Sequence, residues 1–113
     1  MTFKDEKFVS DFIKLAKEHN RCLETKEYSK RSRINKKLMS MLNVINSLQN
    51  PEKIISEIID CGDEYAILWI ANYAFKNKMC VDIVRQKLKE IMDRKSGADS
   101  VTAWALMREN NVQ

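Results

Sequence analysis

The sequence predicts an all-α protein, on three observations. Residues Ala66–Phe75 read Ala-Ile-Leu-Trp-Ile-Ala-Asn-Tyr-Ala-Phe, with only Asn72 polar. Wound at 3.6 residues per turn, such a segment is apolar on nearly every side and is stable in water only when neighbours cover several of its faces. The 113 residues hold two glycines and one proline against many Lys, Glu, Leu, Ile and Met residues, whereas a sheet protein of this length needs more turn residues. Through the rest of the chain, apolar residues recur at intervals of three and four, the helical period. The length corresponds to a single domain, 1–113, large enough to bury roughly two-thirds of the surface its unfolded chain exposes.

Each helix has a local signature. The first is expected from about Lys4 to Leu23, with Phe8, Phe12, Leu15, His19 and Cys22 forming one stripe beside Val9, Ala16 and Leu23. His19 on that stripe reads as a core residue with a hydrogen-bonded ring rather than a catalytic or metal-binding group. After the polar break Glu24–Glu27, a second helix presents Ile34, Leu38, Met41, Leu42, Ile45 and Leu48 and ends near Gln49. Asn50-Pro51-Glu52 starts a third: Asn can cap, Pro fits the first helical position, and Glu complements the positive end of the dipole. Ile54, Ile55, Ile58 and Ile59 form its buried face, Asp60-Cys61-Gly62 stops it, and Asp63 caps the central helix at once, so the two form an antiparallel hairpin. A fifth helix, Val81 to Arg94, carries Val81, Val84, Leu88, Ile91 and Met92 and is ended by Lys95-Ser96-Gly97. Asp99 or Ser100 then caps a last helix from Val101 to about Asn110, with Trp104, Leu106 and Met107 closing the end of the core. Six helices in three antiparallel pairs result, stacked in layers rather than as an up-and-down four-helix bundle.

The three cysteines, Cys22, Cys61 and Cys80, are odd in number and lack C-x-x-C spacing, and with one histidine they suit neither a disulfide framework nor a zinc site. The charged beginning Met1–Lys7 has no apolar leader segment, and no run approaches a membrane span, so a cytoplasmic location is expected. Catalysis would need a nucleophile with its base, paired carboxylates, a metal cluster or a glycine-rich phosphate loop, and none of these patterns is present. Cys22 lies three residues from His19, but both fall on the core face. A non-enzymatic chain without cofactor is the expectation.

Two charged stretches remain. Twenty basic and sixteen acidic side chains give a formal charge of +4, yet Lys26 to Lys37 alone holds six basic residues and one acid. Lys26, Lys30, Arg33 and Lys37 would flank the apolar face of the second helix, either as a solvated flank or as a contact for phosphates or an acidic partner. Glu57, Asp60, Asp63 and Glu64 gather four carboxylates around the turn between the third and fourth helices. Their spacing is not that of a calcium loop; helix capping and solvation explain them, and a basic protein surface is the other target.

The run Glu27-Tyr28-Ser29-Lys30 leading into Arg33-Ile34-Asn35-Lys36-Lys37-Leu38 resembles the start of the second helix in a small bacterial all-helical family of unknown function. Asp63-Glu64-Tyr65-Ala66, opening an Ala-rich helix, is similar to the second helix of a HEAT-type repeat, without the arginine that usually follows the aspartate. Thr102 to Glu109 is similar to the closing helix of that family. The resemblance implies a HEAT-like α-α superhelix and, since some members are immunity proteins of contact-dependent growth inhibition and other polymorphic toxin systems, an inhibitor of a toxin domain, a nuclease above all. On that reading Glu57, Asp60, Asp63 and Glu64 stand in for phosphates, with Trp69 or Tyr73 as an exposed anchor beside them. The second choice is Lys30, Arg33 and Lys37 against an acidic toxin surface. The rival class is a nucleic-acid-binding helical protein that uses the Lys26 to Lys37 stripe.

Overall fold

A computed structural model describes residues 3–93 and 97–110, with side chains described through 3–93 and 101–110. Six helices follow one another: α1 (Phe3–Thr25), α2 (Tyr28–Val44), α3 (Pro51–Ile59), α4 (Glu64–Lys76), α5 (Val81–Asp93) and α6 (Gly97–Glu109), with one 3-10 turn at Ile45–Ser47. There is no strand among the described residues, and no helix is long and apolar enough to cross a membrane.

Helix α4 holds the centre, as its composition demands. It packs against α1, α3, α5 and α6, and those four neighbours bury Ala66, Ile67, Leu68, Ile70, Ala71, Ala74 and Phe75. Ile54, Ile55, Ile58 and Ile59 of α3 are all fully buried beneath it. Pairs α1/α2, α3/α4 and α5/α6 pack within themselves, and α1, α3 and α5 adjoin in turn while α4 adjoins α6. The molecule is a slab measuring 38 × 35 × 21 Å, and its thinnest dimension matches two helix diameters of roughly 10–12 Å each. Among the described residues α2 and α4 do not pack closely on one another. That gap produces the site described below.

Helix boundaries follow local chemistry with three corrections. Lys26 does not lie on the wheel of α2. It sits in the left-handed region at φ 62°, and the Glu27 N–H donates to the Cys22 carbonyl at 3.0 Å, so the residue closes α1 in a Schellman turn and α2 begins at Tyr28. The same motif ends α4, where Lys78 has φ 55° and the Met79 N–H reaches the Ala74 carbonyl at 2.9 Å. Second, α2 ends at Val44 rather than near Gln49, and Asn50 takes the capping position of α3 without a side-chain hydrogen bond. Third, α6 begins at Gly97, so Gly97 is not a stop, and Asp99 and Ser100 lie within the helix rather than ahead of it. Alanine is the strongest helix former, and Ala98 carries α6 back past the expected start. Arg94, Lys95 and Ser96 lie outside the described residues.

The core agrees with the expected stripes at Phe12, Ala16, His19 and Cys22, at Ile34, Leu38, Leu42 and Ile45, and at Val84, Leu88 and Ile91. Asp63 caps α4 as expected, its Oδ1 accepting the Ala66 N–H at 2.8 Å. Trp104 departs from expectation: Ala103 and Met107 seal the core's end, while the indole is 48% exposed beneath the Arg108 guanidinium, 5.1 Å from the ring centre. Because a left-handed lysine carries a Cβ penalty that glycine lacks, Lys26→Gly is expected to stabilise the protein by about 0.5–1 kcal/mol. A lower denaturant midpoint for that variant would contradict the left-handed turn.

Candidate functional site

The space between α2 and α4 is an open groove of about 620 Å³. Trp69, Asn72, Tyr73 and Lys76 recur on α4 at helical spacing and face it, because the side of α4 that neighbours cover is taken by Ile67, Ile70, Ala71 and Ala74. Leu23 and Met39 line the opposite wall and stay 46% and 48% exposed, with Leu42, Leu68 and Leu106 also lining the groove. The rim carries amides together with the exposed Lys76. Asn110 Nδ2 donates to Asn72 Oδ1 at 3.3 Å, joining α6 to α4, and Asn46 Nδ2 donates to Asn77 Oδ1 at 3.4 Å. Burial holds the Tyr73 hydroxyl above the usual phenol range, with the Asn46 backbone offsetting part of that effect.

Tyr65 and Trp69 also line a second, more polar pocket of about 530 Å³, completed by His19, Tyr28, Arg31, Ser32 and Asn35. His19 is buried, and its Nδ1 shares a 2.8 Å hydrogen bond with the Tyr65 hydroxyl. Its ring meets Trp69 edge-on, with centroids 5.2 Å apart, and lies 5.8 Å from the Tyr65 ring. Burial, reinforced by the nearby Arg31 charge, holds the imidazole below its ordinary range and favours the neutral form. The Arg31 Nε–H is sealed from solvent and has no hydrogen-bond acceptor.

The residues singled out from sequence are divided by this geometry. Glu57 and Asp60 are exposed around the end of α3, Asp63 is engaged as the cap of α4, and Glu64 is half-buried in the first turn of α4. Among the described residues none of the four lines the groove or the polar pocket. Trp69 and Tyr73 do line the groove together, both half-buried. Helical rise separates them from the carboxylate turn, by roughly 8 Å and 14 Å along the axis. The basic stripe is also broken. Lys30 pairs with Glu18 at 2.8 Å, Arg21 pairs with the same carboxylate, and together they draw Glu18 down to about 2. Arg33 and Lys37 are exposed, and Lys37 borders a mixed-charge recess between α1 and α2 with Asp11, Lys14 and Lys36.

His19 is the expected hydrogen-bonded core residue, and its ring partners are Tyr65 and Trp69. Among the described residues, no group of three His, Cys, Asp or Glu side chains is placed to hold a metal ion. Sequence reasoning missed Arg31, Ser32, Asn35 and Tyr65. For Ser32 and Asn35 the signal was available: from a helix starting at Tyr28, residues 28, 32, 35, 39 and 42 fall on one face at intervals of three and four, and Arg31 adjoins it, whereas Tyr65 reaches the pocket from α4. Comparison with protein-family models, curated proteins and solved structures finds no match to this chain.

Proposed function

We propose that this protein is a binding module whose groove between α2, α4 and α6 seizes another protein, and that the partner is a bacterial toxin domain neutralised by occlusion. The observation that carries the binding part is the pair Trp69 and Tyr73, half-buried on one wall of an apolar groove whose rim carries amides and Lys76. Aromatic side chains that are pre-packed on one side lose little freedom on binding and bury much area, the usual character of an interface anchor. The toxin identity comes from the resemblance described above, which points to a nuclease as the first candidate. Two layers of paired helices are compatible with the HEAT-like superhelix that this reading includes. No catalytic group of this chain is involved; the toxin's own cleft is covered, in the cytoplasm where such a toxin acts. Glu57 and Asp60, exposed at one edge, would steer a basic cleft towards the groove rather than occupy it.

The test is a titration against the toxin domain that this reading expects a neighbouring gene to encode. Trp69→Ala and Tyr73→Ala are each expected to weaken binding about 30-fold or more; because both rings also pack on the core, each variant is expected to melt below the parent, and affinity is measured at a temperature where it is fully folded. Parent-like affinity in both variants would remove the groove as the contact. The second reading, nucleic-acid binding, is favoured only by the exposed Arg33, Lys36 and Lys37. It predicts DNA or RNA affinity that falls steeply with salt and is lost when these three are replaced.

A further inference from the structure

We propose that the polar pocket beside the groove is a receptor for a single carboxylate, supplied by an acidic residue or the C-terminus of the partner segment that lies in the groove. This rests on the groove being the partner's contact surface.

Three features support the assignment. First, Arg31 has an unfilled donor. Its Nε–H is sealed from solvent and bonded to nothing, and among the described residues no carboxylate forms an ion pair with it. The acid held on α1 nearby in sequence to the pocket, Glu18, is already shared by Arg21 and Lys30. A buried donor without an acceptor is costly, and an incoming carboxylate oxygen would satisfy it once the guanidinium turns to open the Nε–H to the pocket. Second, the charge balance selects a monoanion. His19 is held neutral by burial, so Arg31 is the one cation lining the pocket among the described residues. One planar guanidinium fork matches one carboxylate, whereas a dianionic phosphate would want a second cation. Ser32 and Asn35, one and four residues along the same helix, add neutral donors. Third, the pocket and groove adjoin across a shared wall. Tyr65 and Trp69 line both, so a segment with an acid beside apolar residues can fill both at once.

The probe for the pocket itself is acetate, with inorganic phosphate as the comparison, read by NMR at the Arg31 Nε–H and the Trp69 indole. Acetate is expected to give saturable shifts at both, abolished in Arg31→Gln and also in Asn35→Asp, which places a competing carboxylate at an exposed position. In partner titrations Arg31→Gln is expected to weaken binding roughly 10- to 100-fold, and Arg31→Lys, which keeps the charge but not the fork, by less. Absence of a saturable acetate shift at Arg31, or tighter binding of phosphate than of acetate, would overturn the carboxylate receptor. Acetate binding with unchanged partner affinity in Arg31→Gln would overturn the partner as its source. Tyr73→Ala, which lines the groove and not the pocket, reports separately on the groove: if it weakens the partner while Arg31→Gln does not, the proposed function stands and this inference fails.

Discussion

Ile70→Ala is expected to lower the unfolding free energy by about 2–5 kcal/mol, a large part of the roughly 5–15 kcal/mol that holds a domain together. Ile70 is completely buried on the helix that meets α1, α3, α5 and α6. With packed neighbours on several sides, the space left by its missing methyl and methylene groups has no simple way to collapse, so a cavity term adds to the lost transfer energy. Ile83→Ala is the control, since Ile83 is 44% exposed on α5 and is expected to change stability by within about 0.5 kcal/mol. Urea denaturation of both variants decides the matter. A loss below about 1 kcal/mol for Ile70→Ala would mean that the four neighbours do not enclose α4.

His19→Ala carries the second large effect, a loss of about 2–4 kcal/mol, because it removes the ring packed on Trp69 and leaves the Tyr65 hydroxyl without its 2.8 Å partner. It also changes the pH profile. The folded protein holds His19 below the ordinary value of 6.5, so the unfolded chain takes up its proton first as the solution is acidified. The stabilisation is complete above 6.5 and is lost as the pH falls from there through the lowered folded value. His19→Ala should flatten the melting temperature across that interval, and a slope equal to the parent's would show that another group titrates there. Glu18 acts further into acid: its carboxyl lies at about 2 instead of 4.5, so its contribution is present above 4.5 and disappears as the pH falls through 2. Its partners Arg21 and Lys30 are solvent-exposed, so screening keeps that contribution small.

The parts of this fold that were legible in the sequence are those fixed by local chemistry. Pro51 marks the start of α3, Gly62 at φ 81° marks its end, and Asp63 caps the next helix two residues after Cys61. Ala66–Phe75 announces its own burial. The unread features depend on contacts between distant segments or on residues used against type. Nothing about Lys26 suggests a left-handed turn, because any side chain can be forced there once the helix carbonyls are satisfied. Gly97 looks like a stop but lies inside α6. For the candidate site, Trp69 and Tyr73 are legible as aromatics of interest, while their lining of a groove that the four carboxylates do not line is not. Their separation from Asp60 and Asp63, and the gap between α2 and α4 that makes them a wall, exist only after the helices pack.

The division of labour along α4 has a consequence for how such a chain can diversify. Ile67, Ile70, Ala71 and Ala74 answer to the interior, while Trp69, Asn72, Tyr73 and Lys76, interleaved among them, answer to the groove. Trp69 and Tyr73 also lean on the core, whereas Asn72 and Lys76 can change without disturbing the first set. The groove-facing positions of one helix can therefore vary, least freely at the two aromatics, while the residues that hold it in the interior stay constant.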